Sequence, residues 1–115
     1  MKKKALIYDS SKGFSSFIKR NYSEKMELDN CNNKFNLKNY NSSNYQICFF
    51  MVNDIEDYFL LKKYYFEIEY FFIISYKTTL LEKIKKLEYT NAVLIDSDHS
   101  KKYILDLVNF LITIK

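Results

Sequence analysis

The sequence has no proline, no tryptophan and a single glycine, Gly13. It also has few potential metal ligands and no long apolar run, and each of these excludes a class of protein. One histidine, His99, and the lack of a CxxC pair leave too few ligands for a zinc site. No uninterrupted apolar stretch approaches the roughly 20 residues that a membrane helix needs. The apolar run near the N-terminus stops at Tyr8, which is too short for a signal peptide. We therefore expect a soluble, cytoplasmic protein with no membrane partner.

Concentrated charge of one sign is also missing. The net charge of +4 comes from 18 basic and 14 acidic residues spread along the chain, and Lys2–Lys4 is the only basic run of three. A nucleic-acid-binding face normally gathers its lysines and arginines in a patch or stripe. The pattern indicates a solvated surface and predicts no nucleic-acid partner.

Apolar residues are plentiful. They make up 48% of the 115 residues, which is enough for one domain, residues 1–115, with a hydrophobic core. Tyrosine (11), phenylalanine (10), lysine (17) and asparagine (11) are abundant, a bias that we attribute to an AT-rich coding genome. Cys31 lies in a polar segment and Cys48 in an apolar one, which predicts two free thiols in a reducing compartment.

The stretch from Lys4 to Phe17 shows how the fold begins. Ala5–Tyr8 is an apolar run without helical spacing, as in a strand that is covered on both faces. Asp9, Ser10 and Ser11 then supply short polar side chains that cap a helix. The helix itself carries apolar residues at helical spacing: Phe14, Phe17, Ile18 and Tyr22.

The rest of the chain repeats this strand-then-helix pattern. We predict strands near residues 4–9, 25–29, 46–52, 69–75 and 92–96, and a last helix near 100–113. Because crossover connections between parallel strands are right-handed, such a series of strands and helices forms a parallel sheet with helices on both faces. The expected fold is therefore α/β, a three-layer (βα)5 flavodoxin-like or receiver-like parallel sheet with strand order 2-1-3-4-5.

The helices after the second and third strands are predicted from the following residues. The Asn-rich segment 29–44 offers Phe35, Leu37 and Tyr40 to pack a short second helix. Asn53 or Asp54 is expected to cap the helix after the third strand. That helix is expected to bury a broad face: Ile55, Tyr58, Phe59, Leu60 and Leu61.

Polar residues end the predicted strands at one edge of the sheet. Asp9 follows the first strand, Asn53 and Asp54 the third, Ser75 the fourth and Asp96 the fifth. Polar residues are also needed there simply to end buried strands and to cap helices. Because ligands bind at the carboxyl ends of strands in open α/β sheets, these five residues form the candidate site.

The string of elements resembles, over essentially the full chain, the receiver domain of bacterial response regulators. In that family an acidic pair after the first strand holds Mg²⁺, and an Asp at the end of the third strand accepts a phosphoryl group. A Ser or Thr ends the fourth strand, and a Lys followed by Pro ends the fifth. Asp9 matches one member of the acidic pair, and Ser75 matches the hydroxyl position.

The chain departs from the receiver pattern at three places. Ser10 stands where the second metal carboxylate would be, and Met51–Asn53 end the third strand, so that Asp54 lies one residue beyond the nearest register. Asp96-Ser97 replaces the Lys-Pro pair, which removes the fixed positive charge that engages the phosphoryl group. The resemblance thus implies a degenerate, pseudo-receiver domain with a degenerate acidic site.

Such a domain would be non-enzymatic, with no catalytic residue, metal or cofactor. It would bind a protein partner through the last strand and the last two helices, as receivers commonly do. An atypical phospho-acceptor at Asp54 or Asp9 stays open as an alternative. The sequence also leaves open whether two copies form a homodimer.

A second, local resemblance covers residues 8–15, YDSSKGFS, which look like the phosphate-binding loop of flavodoxins. Ser10, Ser11 and Ser15 would supply hydroxyls, and Gly13 would let the backbone approach a phosphate at the helix N-terminus. FMN is therefore the alternative cofactor. Flavodoxins hold the flavin with further glycine-bearing loops, whereas Gly13 is the only glycine of this chain.

Overall fold

A parallel sheet forms the centre of the computed structural model. The structure describes residues 3–64, 68–89, 92–96 and 101–113. For residues 92–96, 101 and 111–113 it describes the backbone only. The strands are β1 (Lys3–Tyr8), β2 (Met26–Cys31), β3 (Ile47–Met51), β4 (Tyr70–Ser75) and β5 (Ala92–Asp96). Their order in the sheet is β2-β1-β3-β4-β5, and each neighbouring pair is parallel.

An α-helix follows each strand except β2. The helices are α1 (Gly13–Tyr22), α2 (Ile55–Lys63), α3 (Thr78–Lys85) and α4 (Lys101–Thr113). The predicted α/β class and the parallel order β2-β1-β3-β4 are confirmed, and β2 lies at an edge of the sheet. Within the described ranges, no helix is both long enough and apolar enough to cross a membrane.

Alternate residues of the strands build two hydrophobic clusters. Ile7 and Phe49 belong to a cluster that includes residues of α1 and α4. Leu6 and Phe50 belong to the other cluster, which includes residues of α2 and α3. Successive side chains of a strand point to opposite faces, so the two clusters lie on opposite sides of the sheet. This explains why the sequence shows continuous apolar runs instead of alternation.

The predicted second α-helix is wrong. Residues Lys34–Asn39 and Ser42–Asn44 form two short 3-10 helices instead. The side chains of Asn33 and Asn41 accept bonds from nearby backbone N–H groups and hold the chain in tight turns. Only Leu37 is buried in these turns, and so little apolar surface cannot stabilise a longer helix. The (βα)5 repeat is therefore incomplete at its second unit.

The broad apolar face predicted for α2 is also wrong in part. Leu61 is buried, but Ile55 is 43% exposed and Phe59 is 58% exposed. The buried residue in the first turn is Asp57, whose carboxylate is bonded to residues of the sheet edge. Anchoring this polar side chain turns Ile55 and Phe59 toward solvent.

Both cysteines are free and buried, as predicted. The Cys31 thiol donates to the carbonyl of Asn33 at 3.2 Å, and Cys48 lies in the middle of β3. Burial raises the pKa of the Cys48 thiol, which disfavours the reactive thiolate.

Candidate functional site

The first loop and the end of β3 meet at the carboxyl edge of the sheet. Asp9 follows β1 and is 0% exposed, and Asn53 follows β3 and is 8% exposed. The Asn53 side-chain amide Nδ2 donates to Asp9 Oδ1 at 2.9 Å. Since β1 and β3 are neighbours in the sheet, two candidate residues 44 positions apart in the chain lie in direct contact.

The Asp9 carboxylate is fully engaged by the chain itself. Its Oδ1 also accepts from Ser11 N at 3.1 Å and from Ser11 Oγ at 2.9 Å. Its Oδ2 accepts from Ser15 N, in the first turn of α1, at 2.9 Å. The negative charge therefore lies at the N-terminus of α1, where free backbone N–H groups favour an anion.

A second buried carboxylate, Asp57, was missed from the sequence. Its Oδ1 accepts from the Tyr8 hydroxyl at 2.7 Å, and its Oδ2 accepts from Ser10 Oγ at 3.0 Å and from Asn53 N at 2.9 Å. Ser10 Oγ also accepts from Asn53 Nδ2 at 3.3 Å. We call these five residues, Tyr8, Asp9, Ser10, Asn53 and Asp57, the buried acid network.

One local signal could have revealed Asp57. Asp54 and Asp57 have the spacing of a capping box, in which the first side chain caps the third helical residue and the acid reaches back. In the structure Asp54 Oδ1 accepts from Asp57 N at 2.9 Å, and Asp57 reaches back to Asn53 N. The spacing indicates the cap, but not the contacts with Tyr8 and Ser10.

Two of the other strand-end residues, Asp54 and Ser75, do not belong to this network. Asp54 is exposed and caps α2. The Ser75 hydroxyl is buried, donates to the carbonyl of Val52 at 2.9 Å and accepts from Lys77 N at 3.3 Å. Asp96 is paired with Ser75 in the sheet, but its side chain lies outside the described part of the structure, and so does Ser97.

The hydroxyls of the flavodoxin-like loop are bonded within the chain. Ser11 Oγ donates to Asp9, Ser10 Oγ donates to Asp57 and Ser15 Oγ donates to the Lys12 carbonyl, while Ser15 N donates to Asp9. A Cβ added to Gly13 would meet only Ser11 Oγ, at 3.9 Å, and the residue with positive φ is Lys12 (69°). No crowding within the chain therefore requires glycine at position 13. FMN binding stays a prediction, which the visible absorption spectrum of the purified protein tests.

The buried acid network contains no cation. Among the ion pairs of the described residues, none involves Asp9 or Asp57. Neutral donors and the N-termini of two helices balance the two carboxylates. Burial, followed by the hydrogen bond to Asp57, raises the pKa of the Tyr8 phenol well above its usual range. The raised pKa keeps the Tyr8 phenol protonated, and so a donor to Asp57, at neutral pH and into the alkaline range in which a free tyrosine ionises.

This arrangement predicts a loss of stability in alkali. The unfolded chain ionises Tyr8 near its ordinary pKa of about 10, whereas the folded chain retains the proton. The contribution of Tyr8 to the free energy of unfolding is therefore complete below pH ~10 and is lost as the pH rises beyond it. Tyr45 contributes to stability with the same pH dependence, because burial and its bond to Asp29 raise its pKa.

Tyrosinate absorbance and circular dichroism, recorded together through an alkaline titration, measure this effect. We expect a group of tyrosines to ionise only when the helical signal is lost. In Tyr8→Phe the free energy of unfolding should fall less steeply as the pH rises above ~10. Ionisation of all 11 tyrosines while the helical signal is intact would contradict the assignment.

The comparison with solved structures matches this arrangement of strands and helices to a known fold. The receiver domain of a Francisella response regulator superposes with a TM-score of 0.59, covers 96% of this chain and 96% of its own, and is 18% identical in sequence. This chain has the receiver fold. The sequence matches no family model, and the search of curated proteins found no relative.

The Mg²⁺ site that receiver resemblance implies does not fit the residues found here. The oxygens of Asp9 already accept four hydrogen bonds, and Ser10 occupies the position of the second acid. In the described part of the chain, no three His, Cys, Asp or Glu side chains are grouped to hold a metal. A hard cation needs several such oxygen ligands. We derive no metal-dependent step at this edge.

Proposed function

We propose that this chain is a receiver-like signalling domain that binds a protein partner and whose phosphorylation site is degenerate. In this proposal residues 1–115 act as one non-enzymatic domain with a five-stranded, three-layer architecture and a cytoplasmic location. The observation that carries it is the contact between Asn53 Nδ2 and Asp9 Oδ1, which places a carboxamide in the acidic centre of the sheet edge.

A carboxamide does not accept a phosphoryl group as a carboxylate does. Asp9 and Asp57 are the two acids of the network, and each uses both of its carboxylate oxygens to accept hydrogen bonds. Asp54 is turned away and caps α2. A phosphoryl group added here would place further negative charge beside two buried carboxylates, and that repulsion is strong where water is excluded.

The same contacts support a constitutive role over a switched one. The Ser75 hydroxyl is bonded to the Val52 carbonyl, within the sheet edge, and the acid network ties β1 to the loop before α2. Both groups are satisfied without a ligand. The domain would then present one surface to its partner instead of alternating between two.

Incubation with acetyl phosphate and Mg²⁺ tests the degenerate site. We expect intact-mass spectrometry to show no phosphoryl adduct, while a receiver domain that is phosphorylated under these conditions serves as the positive control. An aspartyl-phosphate adduct that disappears in Asp54→Ala or in Asp9→Ala would overturn the proposal and identify an atypical phospho-acceptor.

The partner surface is proposed by resemblance to include β5, α3 and α4. Tyr103 is 48% exposed and Phe110 is 63% exposed on α4. We expect a pull-down from the native cell to capture a protein that Phe110→Ser releases, while Phe59→Ser, on α2, retains it. Light scattering of the purified protein tests homodimer formation. Equal capture by both variants would contradict the assignment of this surface.

A further inference from the structure

A cleft of about 500 Å³ opens beside the buried acid network. It is lined by Ser10 and Lys12 after β1, by residues 30–36 and Tyr40 at and after the end of β2, and by Asp54, Glu56 and Asp57 at the start of α2. The three loops after β1, β2 and β3 thus meet around one space. The strand order reverses between β1 and β3, and this is the place where open α/β sheets bind ligands.

The cleft has the volume of a small-molecule site but an unusual lining. Ligand pockets of about 300–1,000 Å³ are mostly apolar with a few polar groups. Here four amide side chains, Asn30, Asn32, Asn33 and Asn36, line one space, out of 11 asparagines in the chain. A polar ligand is therefore favoured over an apolar one.

The amides present both donors and acceptors to the cleft. Asn32 uses Nδ2 on the Asp9 carbonyl and on Ser15 Oγ, which leaves its Oδ1 as an acceptor. Asn33 uses Oδ1 to cap Phe35 N, which leaves its Nδ2 as a donor. Hydroxyl groups both donate and accept, so a ligand with several of them matches this set.

The charges of the lining argue against an anion. Lys34 is already paired with Glu56 across the cleft. Asp54 and Asp57 add two carboxylates, and Lys12 is the remaining cation of the lining. A phosphate would meet at least as much negative as positive charge. The Phe35 side chain, 72% exposed, adds an apolar ring at the cleft, against which the C–H face of a ring can pack.

We propose that this cleft binds a neutral, hydroxyl-rich small molecule of the sugar or polyol class. The amides of residues 30–36 recognise its hydroxyls, and the Phe35 ring covers its C–H face. The acid network contributes Ser10 and Asp57 to the lining, but the Asp57 oxygens are already bonded to the chain, so the amides and Phe35 carry the recognition.

Amide NMR spectra of the labelled full chain test the proposal with named probes. Glucose, galactose, mannose and myo-inositol are the neutral probes, and inorganic phosphate and adenosine monophosphate are the anionic ones. We expect at least one neutral probe to give saturable shifts confined to residues 10–12, 30–36 and 54–57, and neither anion to do so.

Two variants locate the binding. Asn36→Ala should weaken it by about fivefold to tenfold, the effect of one lost hydrogen bond. Asn39→Ala, an exposed residue at the end of the same 3-10 helix and outside the cleft, is the matched control and should bind as the wild type does.

Saturation by an anion alone, no saturable shift with any neutral probe, or equal affinity of Asn36→Ala and wild type would overturn the proposal. None of these results bears on the receiver-like proposal, which rests on the contact between Asn53 and Asp9.

Discussion

Phe50→Ala is expected to lower the free energy of unfolding by about 3–5 kcal/mol. Phe50 lies in the central strand β3, is fully buried and packs between Tyr8, at a ring-centroid distance of 4.7 Å, and Phe71, at 6.3 Å. Both flanking strands cover it, so the structure cannot collapse readily into the space that alanine leaves. Since a domain of this size is stable by about 5–15 kcal/mol, the variant would be close to unfolding.

Urea titrations of wild type and variant measure the change. Phe59→Ala makes the same substitution on the exposed face of α2 and should cost less than about 1 kcal/mol. If the two variants lose the same stability, Phe50 does not lie in the covered centre of the sheet, and the strand assignment would be wrong.

Asp57→Ala is expected to lower the free energy of unfolding by about 3 kcal/mol. The substitution leaves the buried Tyr8 hydroxyl and the Asn53 N–H without an acceptor, and each such group costs about 1–3 kcal/mol. The Tyr8 pKa should fall as well, since the bond to Asp57 is one of the causes that raise it. Burial is the larger cause, so part of the rise should remain.

Asp54→Ala is the matched control for this prediction. It removes a carboxylate from the same turn, but an exposed one that caps α2, at a cost of about 1 kcal/mol. We expect Asp57→Asn to lie between the two alanine variants, because an amide oxygen can still accept one of the bonds. A larger loss in Asp54→Ala than in Asp57→Ala would show that the acid network contributes little.

Much of the sheet follows from local sequence. The apolar runs at Ala5–Tyr8, Ile47–Val52 and Tyr70–Ile74 have no polar side chain to place on a solvated face, so they predict strands covered on both sides. Parallel connection then brings the carboxyl ends of neighbouring strands together. The placement of Asp9 beside Asn53 also requires the order that makes β1 and β3 neighbours.

The 3-10 turns were harder to predict, because the segment from residue 32 to 44 has few apolar residues. Asn33 and Asn41 hold the local backbone through their own side chains, and such short-range bonds compete with helix formation. Phe35 is one of the few apolar residues available to pack, but its backbone position turns it to solvent.

The sequence by itself determined the strands and their polar ends, because each depends on a pattern within a few residues, whereas the strand order came from the general rule for crossovers and the flavodoxin-like arrangement. Only the tertiary structure decided which acids of that edge are buried. Asp54 and Asp57 are both Asp residues at the start of one helix, yet Asp57 meets the Tyr8 hydroxyl, 49 residues away in the chain, while Asp54 faces solvent. Burial of a carboxylate depends on the donors that surround it, and here those donors come from β1, from its following loop and from the end of β3.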